Sequence, residues 1–195
     1  MSMDRLPPIP EAQWSPEQQR EAQEVIAGPR GALISPFIPL LRSPELMGHA
    51  QRMGEYLRYR STLELRLSEL AILITARQWS QQVEWAIHAP IALKAGVAAS
   101  TIEAIAHGRL PEGLPEDEAA VYAFSTELHR NQGVSDASWA RAVGLFGEQG
   151  AVDLIGINGY YTLLSMVMNA SRTPAPRTAA APLPLLTGSL PAGPG

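Results

Sequence analysis

Residues 69 to 88 read ELAILITARQWSQQVEWAIH, and this stretch decides the fold. Glu69, Arg77, Gln81, Glu84 and His88 punctuate an otherwise apolar, helix-forming run. The steps from Arg77 to Gln81, Glu84 and His88 are four, three and four, and residues three or four apart share a helix face. Buried ionisable groups cost several kcal/mol unless they are paired. Such a stripe is therefore either a structural ion-pair network or a site. A break near Trp79-Ser80, with Ser80 placed to cap a following helix, qualifies the stripe. If the chain turns there, Glu69 and Arg77 face Gln81, Glu84 and His88 across a helix pair and line a pocket.

Capping and breaker signals cut the rest of the chain into helices, and no strand alternation competes with them. Ser15-Pro16-Glu17-Gln18 supplies an N-cap serine, a first-turn proline and a capping-box glutamine, which predicts a helix over 16 to 27, ended by Gly28-Pro29. Gly31 to Leu41, with Pro36 and Pro39, reads as an extended loop. Ser43-Pro44-Glu45 opens a helix toward Tyr59, and helices are expected at about 63 to 78, 81 to 95 and 99 to 107, with Gly96 and Gly108 as C-terminal glycines. The acidic turn Pro115-Glu116-Asp117-Glu118 starts a helix that Gly133 ends. Ser135-Asp136 caps another to about Gly147, and an apolar helix fills 151 to 170.

The core stretch resembles the carboxymuconolactone decarboxylase and alkylhydroperoxidase D superfamily, in which a helical Glu is followed by Cys-x-x-Cys and a His four residues later. Glu69 falls on the family Glu, Gln81 and Glu84 on the two Cys positions, and His88 on the His. RSPELMGHAQRMGEYLRYRS before the core, HAPIALKAGVAASTIEAIAHG after it and GINGYYTLLSMVMNA near the end extend the resemblance from about Gly31 to Asn169. It implies an all-α helical bundle that assembles as a homo-oligomer, a ring of three or of three dimers.

The 195 residues suit one domain, divided here into an N-terminal arm and helix (1–30), a helical domain (31–172) and a Pro/Ala-rich tail (173–195). The tail is expected to be disordered alone, or to lay its LPLL segment on a neighbouring subunit. With 46% hydrophobic and 17% charged residues and a net charge of -4, the chain offers no electrostatic footprint for nucleic acid. The apolar 151 to 168 region is interrupted by Asp153, Gly156, Asn158 and Gly159, and no membrane span is expected. The start, MSMDRLPPIPEAQW, does not read as a secretory signal, which makes a cytoplasmic location the expectation. The chain contains no cysteine, so thiol peroxidase and disulfide chemistry, which need a thiolate, are excluded.

His88 is the leading candidate for acid-base chemistry, because only histidine titrates near neutral pH without tuning. Glu84, one turn earlier, is assigned the orientation of His88, and Glu69 a supporting or relay role. The alternative for Glu84 is acid-base duty of its own, and for Glu69 an ion pair with Arg58, Arg66 or Arg77. Arg77 is a candidate clamp for a substrate carboxylate, with Gln81 an orienting donor and Trp85 a wall. Trp79, Trp85, Tyr160 and Tyr161 read as core or subunit contacts ahead of substrate walls, and His49, His107 and His129 lie far from the cluster. Glu69, Glu84 and His88 match an iron or manganese ligand set only loosely, and neither a metal nor a cofactor is expected. The resemblance implies a cofactor-independent lyase acting on a small carboxylated lactone or unsaturated acid. A hydrolase or isomerase on the same scaffold, or an inactive oligomeric binding protein, stays open.

Overall fold

Ser15 opens the first helix, α1 (Pro16–Ala27), by a reciprocal capping box with Gln18. The computed structural model describes residues 4–176 and 181–185, and among them every regular element is helical. A short α2 (Phe37–Leu40) follows, within the segment expected to be extended. Pro36 precedes its first turn, while Phe37, Leu40 and Leu41 bury their side chains, so burial of three apolar groups holds one turn of helix there. The helix α3 (Pro44–Tyr59) starts where its proline predicts, but the Ser43 hydroxyl makes no capping bond.

The centre of the bundle is α4 (Leu65–Gln78), buried without interruption from Leu67 to Arg77 and packed against the later helices. Leu70, Leu73 and Ile74 are fully excluded from solvent, each worth roughly 1.5–3 kcal/mol. A helix apolar on every side belongs inside a bundle. It pairs with α5 (Gln82–Ala95), and the short α6 (Ala99–Ala106) packs against both. Ser80 takes a positive φ of 48° in the turn between α4 and α5 and does not cap α5. Gln81 does, its side-chain oxygen accepting from the Val83 and Glu84 N–H groups at 2.5 and 3.2 Å.

The acidic turn opens α7 (Glu116–Asn131), which ends one residue earlier than expected, at Gln132 in the left-handed region, with Gly133 beyond it. Its first turn is fixed to α4 by Arg66, which contacts Glu118 at 2.5 Å and also pairs with Asp117. The last helix, α8 (Asp136–Ser171), is capped by Ser135 and turns sharply at Gly147, whose φ of 71° and ψ of 171° suit only glycine. Past the kink, buried Asp153 accepts from Tyr56 Oη (3.0 Å) and Thr62 N (3.0 Å), tying α8 to the end of α3. By length and composition alone α8 could cross a membrane, but 56% of its most apolar window is buried against the bundle, as in a core helix.

The N-terminal arm is packed rather than free. Arg5 donates from its backbone N–H to Ser171 O (2.8 Å), and Ala22 and Val25 of α1 lie in the same core as α4. Part of the proline-rich tail is packed too. Leu183 is 4% exposed and belongs to the core of its own chain, where the sequence suggested disorder or a neighbouring subunit. The remainder of that expectation, over 177–180 and 186–195, falls outside the described residues.

Candidate active site

The Gln81 cap fixes the first turn of α5, which puts Glu84 and His88 on successive turns facing α4. A carboxylate in a first helical turn is favoured by the helix dipole. From α4, Glu69 reaches across the helix pair, and its Oε2 lies 2.7 Å from His88 Nδ1. Glu84 Oε2 lies 3.3 Å from Nε2 on the other edge of the ring. All three residues are buried, and His88 is the hub between two carboxylates.

Burial alone would push the His88 imidazole down, since desolvation disfavours its charged form. The Glu69 charge and hydrogen bond, reinforced by Glu84, overcome it and raise His88 to about 9. At neutral pH His88 is therefore an imidazolium, a proton donor held in a dry site. Glu69 on Nδ1 leaves Nε2 as the nitrogen on the Glu84 side. Glu84 Oε1 is buried and has no hydrogen-bond partner among the described residues. The Tyr161 ring meets His88 edge-on at 5.1 Å and stands likewise against Tyr160 at 5.2 Å. Burial raises both phenols, Tyr160 to about 12 and Tyr161 well above its ordinary value, so both hydroxyls keep their protons.

Glu84, His88, Tyr160 and Tyr161 line one side of a cleft whose other lining includes Arg30, Arg58, Phe37 and Leu164. The cavity is about 30 Å³, room for roughly two water molecules. Burial works against the charge of Arg58, but Tyr161, Tyr59, Glu69 and Glu84 outweigh it and raise its pKa. Arg30 sits 4.8 Å over the Phe37 ring and donates to Gln51 Oε1 at 3.2 Å. The cleft thus presents two guanidinium groups, one protonated imidazole, two phenol donors and one unpartnered carboxylate oxygen. Such a set has the chemistry to bind an anion and to deliver a proton.

Three residues expected at the site lie elsewhere. Arg77 donates to Ala106 O (3.1 Å), Pro184 O (2.7 Å) and Ser80 Oγ (2.5 Å), so its guanidinium is occupied by two backbone carbonyls and a hydroxyl and does not line the cleft. Gln81 spends its oxygen on the α5 cap and its Nε2 on Asn169 Oδ1 at 3.0 Å. Trp85 lines a different cavity with Ala89, Leu93 and Ile102. The stripe fails at Arg77 because the turn at Ser80 breaks the helical register ahead of α5, and at Gln81 because its side chain is spent on the α5 cap and on Asn169. Arg30 and Arg58 went unread as binding residues, since no spacing rule connects them to α5. Tyr161, read as a core or subunit contact ahead of a substrate wall, lines the cleft. His129, lowered by burial, lies 3.0 Å from Thr75 Oγ1, and neither it, His49 nor His107 lines the cleft. Among the described residues no group of His, Asp and Glu side chains is arranged to hold a metal ion.

No curated protein matches the chain. Residues 44–126, which carry Arg58, Glu69, Glu84 and His88, match the family described as Carboxymuconolactone decarboxylase family.

Proposed function

We propose that the protein is a cofactor-independent carboxy-lyase acting on a small carboxylated lactone or unsaturated acid. The observation that carries this reading is a buried imidazolium, His88, fixed by Glu69 at 2.7 Å beside a cleft with two arginines. In the proposed reaction Arg58 and Arg30 bind the substrate carboxylate, taking the role expected of Arg77. The carbon–carbon bond to that carboxylate breaks, carbon dioxide leaves, and the electron pair delocalises into the conjugated system. The protonated Tyr160 and Tyr161 hydroxyls would donate to a developing oxyanion. His88 then transfers its Nε2 proton to carbon, and water returns a proton to the imidazole. The shorter contact makes Glu69 the orienting carboxylate, the role expected of Glu84, while Glu84 aligns Nε2. A cavity of about 30 Å³ does not hold a lactone, so the half-buried Arg30 and the exposed Ile34 must swing aside on binding.

The reading includes a cytoplasmic homo-oligomer. Leu46 and Met53 on α3, with Val152, Ile155 and Met166 on α8, expose apolar side chains in support of self-association. The unpartnered Glu84 Oε1 favours one second reading, an isomerase in which Glu84 removes a proton and His88 returns one. The test is carbon dioxide release from a panel of carboxylated lactones in deuterated buffer. His88→Gln should cut release by roughly a hundred-fold or more while circular dichroism stays unchanged. Deuterium uptake without release would favour the isomerase, and wild-type turnover by His88→Gln would remove His88 from the chemistry.

A further inference from the structure

Behind the α4–α5 turn the chain binds a piece of itself in a manner that describes a recognition site. The Gln82 carboxamide pairs both backbone groups of Leu183: Nε2 donates to Leu183 O (3.0 Å) and Oε1 accepts from Leu183 N (3.0 Å). This is the two-bond pairing that a neighbouring strand would offer, supplied by one side chain. Arg77, 3% exposed, donates to the next carbonyl, Pro184 O, at 2.7 Å. The Leu183 side chain is sunk in the core. Residues flanking Leu183 are Pro182 and Pro184, which have no N–H, so the only donor in Pro-Leu-Pro is the one Gln82 satisfies. An extended proline-flanked segment also loses little conformational entropy on binding. Beside it remains a cavity of about 400 Å³ walled by Trp85, Ala89, Leu93, Ile102 and Ala106.

We propose that Gln82, Arg77 and the Trp85 wall form a binding groove for an extended Pro-Leu-Pro peptide, occupied in cis by this chain's own Pro182-Leu183-Pro184. The groove reads backbone through Gln82 and Arg77 and reads one apolar side chain through the Leu183 pocket. Neither the lyase reading nor the cleft at His88 enters this assignment. A Pro-Leu-Pro segment from another molecule gains access when the cis segment is displaced.

The test uses the full chain. In wild type, the Leu183 N–H should exchange with deuterated solvent about tenfold or more slowly than in the free peptide AAPLPLLT, and Gln82→Ala should remove that protection. Exchange at the free-peptide rate in wild type would overturn the proposal. In a second arm, fluorescein-labelled AAPLPLLT is titrated into wild type, Leu183→Asp and the Leu183→Asp/Gln82→Ala double variant. Leu183→Asp, which empties the groove, should bind the peptide about tenfold more tightly than wild type, and the double variant should lose that gain. A folded Leu183→Asp chain that ignores the peptide, or binding indifferent to Gln82, refutes the groove.

Discussion

Replacing Glu69 with Gln should turn His88 from a resident acid into a neutral base, and the size of the change follows from the site. In the native protein His88 lies at about 9 against an ordinary 6.5. That separation corresponds to roughly 3 kcal/mol in favour of the protonated form, to order of magnitude. Between these two values the folded chain holds a proton that the unfolded chain has lost. The stabilisation is thus fully present below about 6.5, falls as pH rises, and is gone above about 9. Glu69→Gln removes the largest opposing influence and leaves burial, which lowers the imidazole, against Glu84 alone. His88 should then titrate near or below 6.5. The assay is NMR titration of histidine-labelled protein, with the four imidazoles of His49, His88, His107 and His129 sorted by the signal missing in His88→Gln. Urea denaturation at pH 6.5 and pH 9 provides the second readout: wild type should lose stability across this interval and Glu69→Gln should lose much less. A wild-type His88 that titrates near 6.5, or a Glu69→Gln variant that leaves it near 9, would refute the reasoning.

Three further outcomes are expected. Purified protein should not reduce hydroperoxides with a dithiol donor above a heat-killed control, because a chain without cysteine cannot form a sulfenic acid or disulfide. Light scattering at micromolar concentration should give a mass above the 21.0 kDa of one chain, and a monomer mass would count against the exposed apolar faces of α3 and α8 as interfaces. Gly54→Ala should destabilise the fold by about 1–3 kcal/mol in denaturant titration, because a methyl there would lie 2.1 Å from Tyr160 Oη and 2.8 Å from an Arg30 nitrogen. A neutral effect would mean that Tyr160 and Arg30 shift freely.

Helix number and order were legible because capping chemistry is local: Ser15, Pro16 and Gln18 name their helix start without reference to anything distant. Errors at helix ends came from side chains competing for one role. Gln81, not Ser80, caps α5, since its longer side chain folds back onto the Val83 and Glu84 N–H groups. Gln132 takes the left-handed turn that Gly133 was expected to take. Within the site, Glu84 and His88 were legible from their one-turn spacing. Glu69 joined them because α4 and α5 pair directly. Arg77 was misplaced because spacing was counted through a turn, where the three-and-four rule has no meaning. Arg30 and Arg58 come from segments that meet α5 only in the tertiary fold, and a single sequence holds no record of that meeting.

The cleft joins two parts of the chain. Glu69, Glu84 and His88 lie within residues 44–126, whereas Arg30, Phe37, Tyr160, Tyr161 and Leu164 lie outside that stretch. In the proposed reaction the proton donor and one carboxylate-binding arginine, Arg58, thus share one stretch of the chain, while most of the remaining cleft lining comes from its two flanks. Variation in the segment around Arg30 and in the last helix can retune which anion is admitted while the acid stays untouched. For an engineer this makes the two flanks the natural place for a library, with the helix pair in the middle kept constant.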